Sequence, residues 1–309
     1  MLGQSAASPG GGLSQPLECL IIAPPLTGLQ GAQGRQGRRQ ARKAENANTS
    51  VVVAGGIPNV FTCSIDVAKL GGIRAIAMAL ASSIRSRANH HGEKNGLSGL
   101  GGGGSCKLSV KKHTFHIERP NWKSDIRWAS ADDEATFGLF QALFDKLGIA
   151  AEFGFLGPMT LFSGFLVIRQ CTRKSHFHAD FTDTGGRAFT LMTPLEDMSD
   201  LWDCHLVVKL PHDGSDEGSS ADTTEDMRQM RQYRYELGRA IVFGDSFIHA
   251  TQTGESPRPL MFLCFTFGNR CMTDDQWRGA EEYISQQCPY YRDPKGQLVL
   301  STAFGGKQI

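Results

Sequence analysis

Two histidines and a carboxylate alternate along Ser-His-Phe-His-Ala-Asp, residues 175–180. Side chains of an extended strand point alternately to its two faces, so His176, His178 and Asp180 would all project from one side. Imidazole and carboxylate groups on one face can hold a divalent metal. The local spacing leaves two overlapping pairs open, His176 with His178 and His178 with Asp180. A plain polar strand would show the same pattern, and His91-x-Glu93 and His116-x-Glu118 repeat it elsewhere.

A third group lies downstream. His249 falls in "AIVFGDSFIHATQTG", which reads as strand, turn and strand. A metal bound by two histidines and one carboxylate keeps open positions for other ligands. A pair from one strand and a histidine from a neighbouring strand would meet that need. Arg258 follows His249 by nine residues and opens the apolar run "PLMFLCFTF". An arginine at the mouth of an apolar pocket can clamp a carboxylate through a two-pronged, charge-assisted contact. Metal and arginine together suit a 2-oxo dicarboxylic acid, its keto-acid end on the metal and its far carboxylate on Arg258.

These residues need a frame, and the chain after about residue 106 supplies one. "DDEATFGLFQALFDKLGIAA" carries apolar residues at helical spacing behind acids that favour a helix N-terminus. "MTLFSGFLVIRQ", "HFHADFT", "RAFTLMT", "DCHLVVKL", "RQYRYEL", "RAIVF", "FIHATQT" and "RPLMFLCFTF" then read as strands. Gly185-Gly186, Pro194, Gly238, Gly244-Asp245 and Gly254 separate them as turn signals. Eight strands with short connections predict a mainly β sandwich or barrel-like jelly roll. A final helix is expected to start at Thr273, where Thr273-x-x-Gln276 has the pattern of a capping box.

Residues 1–105 differ in texture and read as a largely disordered, low-complexity extension, set apart from a folded domain at 106–309. One amphipathic helix is expected within it over 66–86, weakened by Gly71 and Gly72, and "NGLSGLGGGGS" reads as a linker. The cluster "RQGRRQARK" reads as a solvated basic tail or as part of an organellar targeting segment. A net charge of +1 gives no electrostatic reason to expect nucleic acid. No uninterrupted apolar run reaches the roughly 18 residues that a membrane-spanning helix needs. The eight cysteines form no Cys-x-x-Cys pair, which suits a reducing intracellular compartment such as the cytoplasm.

The order His-x-Asp, a long gap, then His with Arg nine residues on, resembles the Fe(II)/2-oxoglutarate-dependent dioxygenases. "GFLVIRQCTRKSHFHADF" resembles prolyl-4-hydroxylase-like members, and "GRAIVFGDSFIHATQTGESPRPLMFLCF" resembles these and the aspartyl/asparaginyl hydroxylases. The resemblance spans roughly residues 108–270. It implies a double-stranded β-helix (a cupin-like jelly roll) with flanking helices. It also implies iron held by His178, Asp180 and His249, and 2-oxoglutarate held by Arg258, with Thr190 nominated as a second contact to that carboxylate. The implied activity is hydroxylation of an unidentified substrate, a protein side chain or a small molecule. O2 would be consumed, succinate and CO2 released, and ascorbate would serve as an accessory reductant.

Two other readings stand beside it. A cupin would use His176 and His178, but such proteins need a Glu a few residues on, where this chain has Phe181, Thr182 and Asp183. A non-catalytic β-sandwich module would keep the fold without the metal. His205 and Asp245 read as structural, Asp245 through turn hydrogen bonds. The acidic stretch 211–226 reads as a solvated insert, which near a pocket would favour basic or polar substrates.

Overall fold

The computed structural model describes residues 52–53, 59–94, 105–118, 124–209, 230–301 and 303. Residues 1–51, with their basic cluster, and the acidic stretch 211–226 lie outside these. The strands are β1 (Val52–Val53), β2 (Val60–Ser64), β3 (Cys106–Val110), β4 (His113–Glu118), β5 (Ser124–Ala131), β6 (Met159–Thr172), β7 (Ala188–Pro194), β8 (Leu206–Lys209), β9 (Met230–Tyr233), β10 (Arg239–Phe243), β11 (His249–Thr251), β12 (Gly254–Asn269), β13 (Tyr290–Arg292) and β14 (Leu298–Leu300). The helices are α1 (Gly71–Lys94), α2 (Glu134–Leu147), α3 (Ile149–Glu152) and α4 (Asp274–Gln287).

A large antiparallel sheet runs in the order β1-β2-β10-β7-β12-β6-β5-β4-β3, and a small one in the order β11-β8-β9. The segment before β7 joins the small sheet through one antiparallel bridge, His178 to His249. From β6 to β12 the chain therefore visits the large sheet, the small sheet, the large sheet, twice the small sheet, and then large, small and large again. That winding is a double-stranded β-helix, with β10-β7-β12-β6 as one wall and β9-β8-β11 plus the His178 segment as the other.

The unbroken apolar run of β6 follows from burial on both faces. Phe165 and Val167 point between the two sheets, where they meet Phe243, Leu260 and Phe262. Leu166 and Ile168 point to the opposite face and pack with Phe140, Phe144 and Leu80 from the helices. Helix α2 lies on that outer face. Asp133 caps it, its carboxylate accepting from Thr136 N, and Gly148 ends it in the left-handed region at φ +75°. Helix α4 starts where the sequence indicates, Thr273 and Gln276 forming both bonds of the capping box.

The boundary expected near Cys106 falls inside the folded unit. Strand β2 pairs with β10 over five residues, Val60 to Ser64. Helix α1 buries Ile73, Ile76, Ala77 and Leu80 in the outer-face core, a helical stripe that residues 106–309 alone would leave uncovered. Val67–Ser86 is long and apolar enough by composition to cross a membrane. Here its apolar stripe packs on the sheet. Gly71 and Gly72 sit in its first turn, where they interrupt no helical stripe.

Gly164 fixes the approach of α2 to β6. A Cβ there would lie 2.4 Å from Phe140 Cγ. Gly164→Ala is expected to destabilise the protein by roughly 1–3 kcal/mol through overpacking. Urea denaturation checks this as a lower midpoint at unchanged slope.

Candidate metal centre

Asp180 is 5 % exposed, at the inner end of the segment that bridges to β11. The reciprocal backbone bonds His178 N to His249 O and His249 N to His178 O, both 3.0 Å, set the two histidines side by side. Their ring centroids are 4.5 Å apart. Asp180 Oδ1 lies 3.4 Å from His178 Nε2 and 3.7 Å from His249 Nε2. The three ligating atoms all fall within 4.8 Å of one another. Adjacent ligands about 2.1 Å from a metal would be roughly 3 Å apart, so slight closure brings these atoms onto one ion.

The hydrogen bonds around the cluster aim it inward. His178 Nδ1 donates to His176 O and His249 Nδ1 to Phe247 O, each at 3.0 Å. With Nδ1 protonated, both Nε2 lone pairs face Asp180. Asp180 Oδ2 accepts from Thr190 Oγ1 at 2.7 Å, while Oδ1 is buried with no hydrogen-bond partner. A carboxylate oxygen and two imidazole lone pairs converge without a donor between them. A cation is the group that satisfies all three, so the residues fit a divalent metal.

The electrostatics agree. Burial opposes ionisation of Asp180, but the neighbouring His249 and His178 and the Thr190 hydroxyl together hold its pKa below the usual value. Burial lowers the pKa of His249, keeping its imidazole neutral as a ligand must be. Burial also works against a proton on His178, but Asp180 outweighs it and raises that pKa. That proton is the alternative to a metal for relieving the cluster.

Helix α4 buttresses the same segment. A Cβ on Gly279 would lie 2.5 Å from Thr182 O, so glycine permits the close approach. Phe181 meets Tyr283 edge-on at 5.2 Å. Tyr283 stands beside Asp180, whose charge adds to burial in pushing the phenol well above its ordinary pKa.

The residues anticipated from sequence do not all gather here. His176 is exposed, its ring 6.1 Å from that of His178, and it lies outside the cluster. The cupin-like pairing of His176 with His178 is therefore not what the fold assembles. Thr190 grips Asp180 and so positions a ligand, where a contact to the co-substrate carboxylate was expected. Arg258 also departs from expectation. Its Nη1 and Nη2 fork onto Asp200 at 2.7 and 2.8 Å, Nη2 also reaches Asp197 O, and Nε bonds Glu196 at 3.2 Å. Glu196 also feels Arg74 of α1, which covers the outer face of the large sheet. The pairing of β12 with β6 shifts register between Glu255 and Leu260, which breaks the alternation that would have aimed Arg258 inward. His205 is buried between Leu201 O and Tyr235 N and is structural as expected; Asp245 accepts from Thr184 and Gly186, so it ties its turn to the segment before β7 where bonds within its own turn were expected.

The arginine inside the barrel is Arg169 on β6. It is 3 % exposed and lies over the Phe262 ring at 4.4 Å. Nη1 donates to Thr251 Oγ1 at 2.8 Å, Nη2 to Cys204 O, and Nε is buried without a partner. Among the described residues no carboxylate pairs with it. Thr251 is two residues along β11 from His249 and on the same face, roughly 7 Å away at strand spacing. The sequence signal was an arginine ending "GFLVI", a run buried on both faces, where a charge is costly unless it serves a ligand.

Thr190→Val removes the donor to Asp180 Oδ2 and keeps the shape. Divalent-metal affinity is expected to fall roughly 10–100-fold, read by calorimetric titration of Fe(II) or Co(II).

No family model and no curated protein matches the chain. Solved structures do. The non-haem alpha-ketoglutarate-dependent epimerase SnoN from nogalamycin biosynthesis matches at TM-score 0.40 and 15% identity, over 76% of this chain and 84% of that one. AviO1 from Streptomyces viridochromogenes Tue57 matches at TM-score 0.41 and 12% identity, over 76% and 97%. An oxidoreductase of the 2OG-Fe(II) oxygenase family from Burkholderia pseudomallei matches at TM-score 0.34 and 13% identity, over 47% and 68%. The solved structures that this fold resembles thus include 2-oxoglutarate/Fe(II) oxygenase-type enzymes.

Proposed function

We propose that the protein is an Fe(II)- and 2-oxoglutarate-dependent oxygenase that hydroxylates an organic substrate and releases succinate and CO2. The observation that carries this reading is the unpartnered, buried Asp180 Oδ1 facing two imidazole nitrogens. His178, Asp180 and His249 would hold the iron and leave its remaining positions for co-substrate, as in two-histidine, one-carboxylate sites. Iron and 2-oxoglutarate together supply the oxidising chemistry; the protein supplies placement and exclusion of water.

The chain's own part can be followed residue by residue. Thr190 keeps Asp180 turned so that Oδ1 faces the histidines. The His176 and Phe247 carbonyls fix both imidazole tautomers. Arg169 supplies a buried guanidinium with an unused Nε, placed along β11 from His249 by its bond to Thr251. It suits the far carboxylate of a five-carbon dicarboxylate whose other end reaches the metal. Phe243, Phe247 and Phe262 line the same interior and keep it dry.

The test is succinate release from 2-oxoglutarate with iron and ascorbate across pools of candidate substrates, alongside anaerobic binding of 2-oxoglutarate to the iron-loaded protein. His249→Ala is expected to abolish metal binding and turnover. Arg169→Met is expected to weaken 2-oxoglutarate roughly 10–100-fold, the equivalent of losing about 1.5–3 kcal/mol of charge-assisted bonding, with metal affinity kept. Arg258→Ala should leave 2-oxoglutarate affinity unchanged within about twofold. Loss of co-substrate binding in Arg258→Ala but not in Arg169→Met would reverse the two roles. Absence of both metal binding and succinate in the parent protein would remove the reading altogether.

A further inference from the structure

A second cluster of charges lies at the other end of the β6–β12 pair. Met159 pairs with Asn269 there, whereas Thr172 and Gly254 mark the end that leads to the metal cluster. A cleft of about 370 Å³ opens between α2 and the β13–β14 hairpin, with Thr160 in its lining. Arg270, Arg292 and Lys295 all border it. Among the described residues Asp145 is the one carboxylate in the lining; one of its oxygens accepts from Gln141 Nε2 at 3.0 Å, and its charge offsets one of the three cations. Asp293, next to Arg292, accepts from Gln297 N at 2.7 Å within the hairpin turn.

Among the described residues no ion pair engages Arg270, Arg292 or Lys295. The Arg292 guanidinium is held over the Phe137 ring at 4.8 Å, and its Nε is buried with no partner. Three cations against one carboxylate leave this cleft with a net positive charge, which favours an added anion. Two of them are guanidiniums, whose planar forks match phosphate oxygens in pairs. The cavity exceeds what a bare phosphate fills and falls in the range used by small organic ligands.

We propose that this cleft binds a small organic phosphate ester, its phosphate group held by Arg270, Arg292 and Lys295. The site is separate from the metal cluster and does not depend on the oxygenase reading. Binding to the full-length protein is measured by calorimetry with inorganic phosphate, glucose 6-phosphate and uncharged glucose at matched ionic strength. Saturable binding is expected for the two phosphates and not for glucose, with the ester the tighter. Arg270→Gln/Lys295→Gln alters two exposed side chains, so the fold is kept, and both affinities are expected to fall at least about tenfold. Arg292→Lys keeps the charge but loses the fork, and a smaller loss is expected. No saturable binding of either phosphate up to about 10 mM, an unchanged Kd in both variants, or binding of inorganic phosphate with exclusion of the ester would each overturn the proposal.

Discussion

A single buried oxygen organises one end of this barrel. Asp180 Oδ1 carries negative charge, is buried, and among the described residues makes no hydrogen bond, its nearest groups being the two imidazoles. Such a charge costs several kcal/mol unless something pairs with it. Thr190 on β7 grips the other oxygen, the His178–His249 bridge sets the imidazoles, and α4 presses the segment from behind. Each of these contacts limits the ways in which the carboxylate could turn to find relief. The fold thereby holds three lone-pair donors together in readiness for a cation, which is preorganisation in the physical sense.

Two arginines illustrate how similar residues acquire opposite roles. Arg258 has every fork occupied by acids and carbonyl groups, is about one-third exposed, and functions as a surface clasp between β12 and the loop after β7. Arg169 is held by a hydroxyl, a carbonyl and an aromatic face, none of which cancels its charge. Burial lowers its pKa, although not enough for an arginine to lose its proton. Unneutralised charge inside an apolar barrel is the stronger sign of a ligand, because the fold tolerates the cost without gaining an internal partner.

Much of this was legible in the sequence, and the failures have physical causes. Strand alternation and turn residues marked β6 to β12, and the Thr273–Gln276 spacing marked the start of α4, because these signals are local. The candidate metal cluster was legible because two histidines and an aspartate sit at spacings that a winding strand pair brings together. The engagement of Arg258 with Glu196 and Asp200 was not legible because a register shift between Glu255 and Leu260 breaks the alternation that would have aimed it inward. Arg169 passed unnoticed because a strand buried on both faces gives no periodic hint of which side faces the cavity. The edge of the domain was misplaced because β2 and α1 are stabilised by contacts with residues more than a hundred positions away, and such contacts leave no mark in local composition.

The close approach of Gly279 to Thr182 has a bearing on how the protein comes into being. His178, Asp180 and His249 are all present in the growing chain once His249 has been made, but the wall behind the Asp180–Thr182 segment is not. That wall arrives with α4, some thirty residues later. During synthesis on the ribosome the carboxylate segment would remain unbraced until the last part of the domain emerges. Until then the three side chains would converge less tightly. Closure of the cluster is thus tied to the emergence of α4, so that three side chains already made wait for a helix that follows them to set their segment in place.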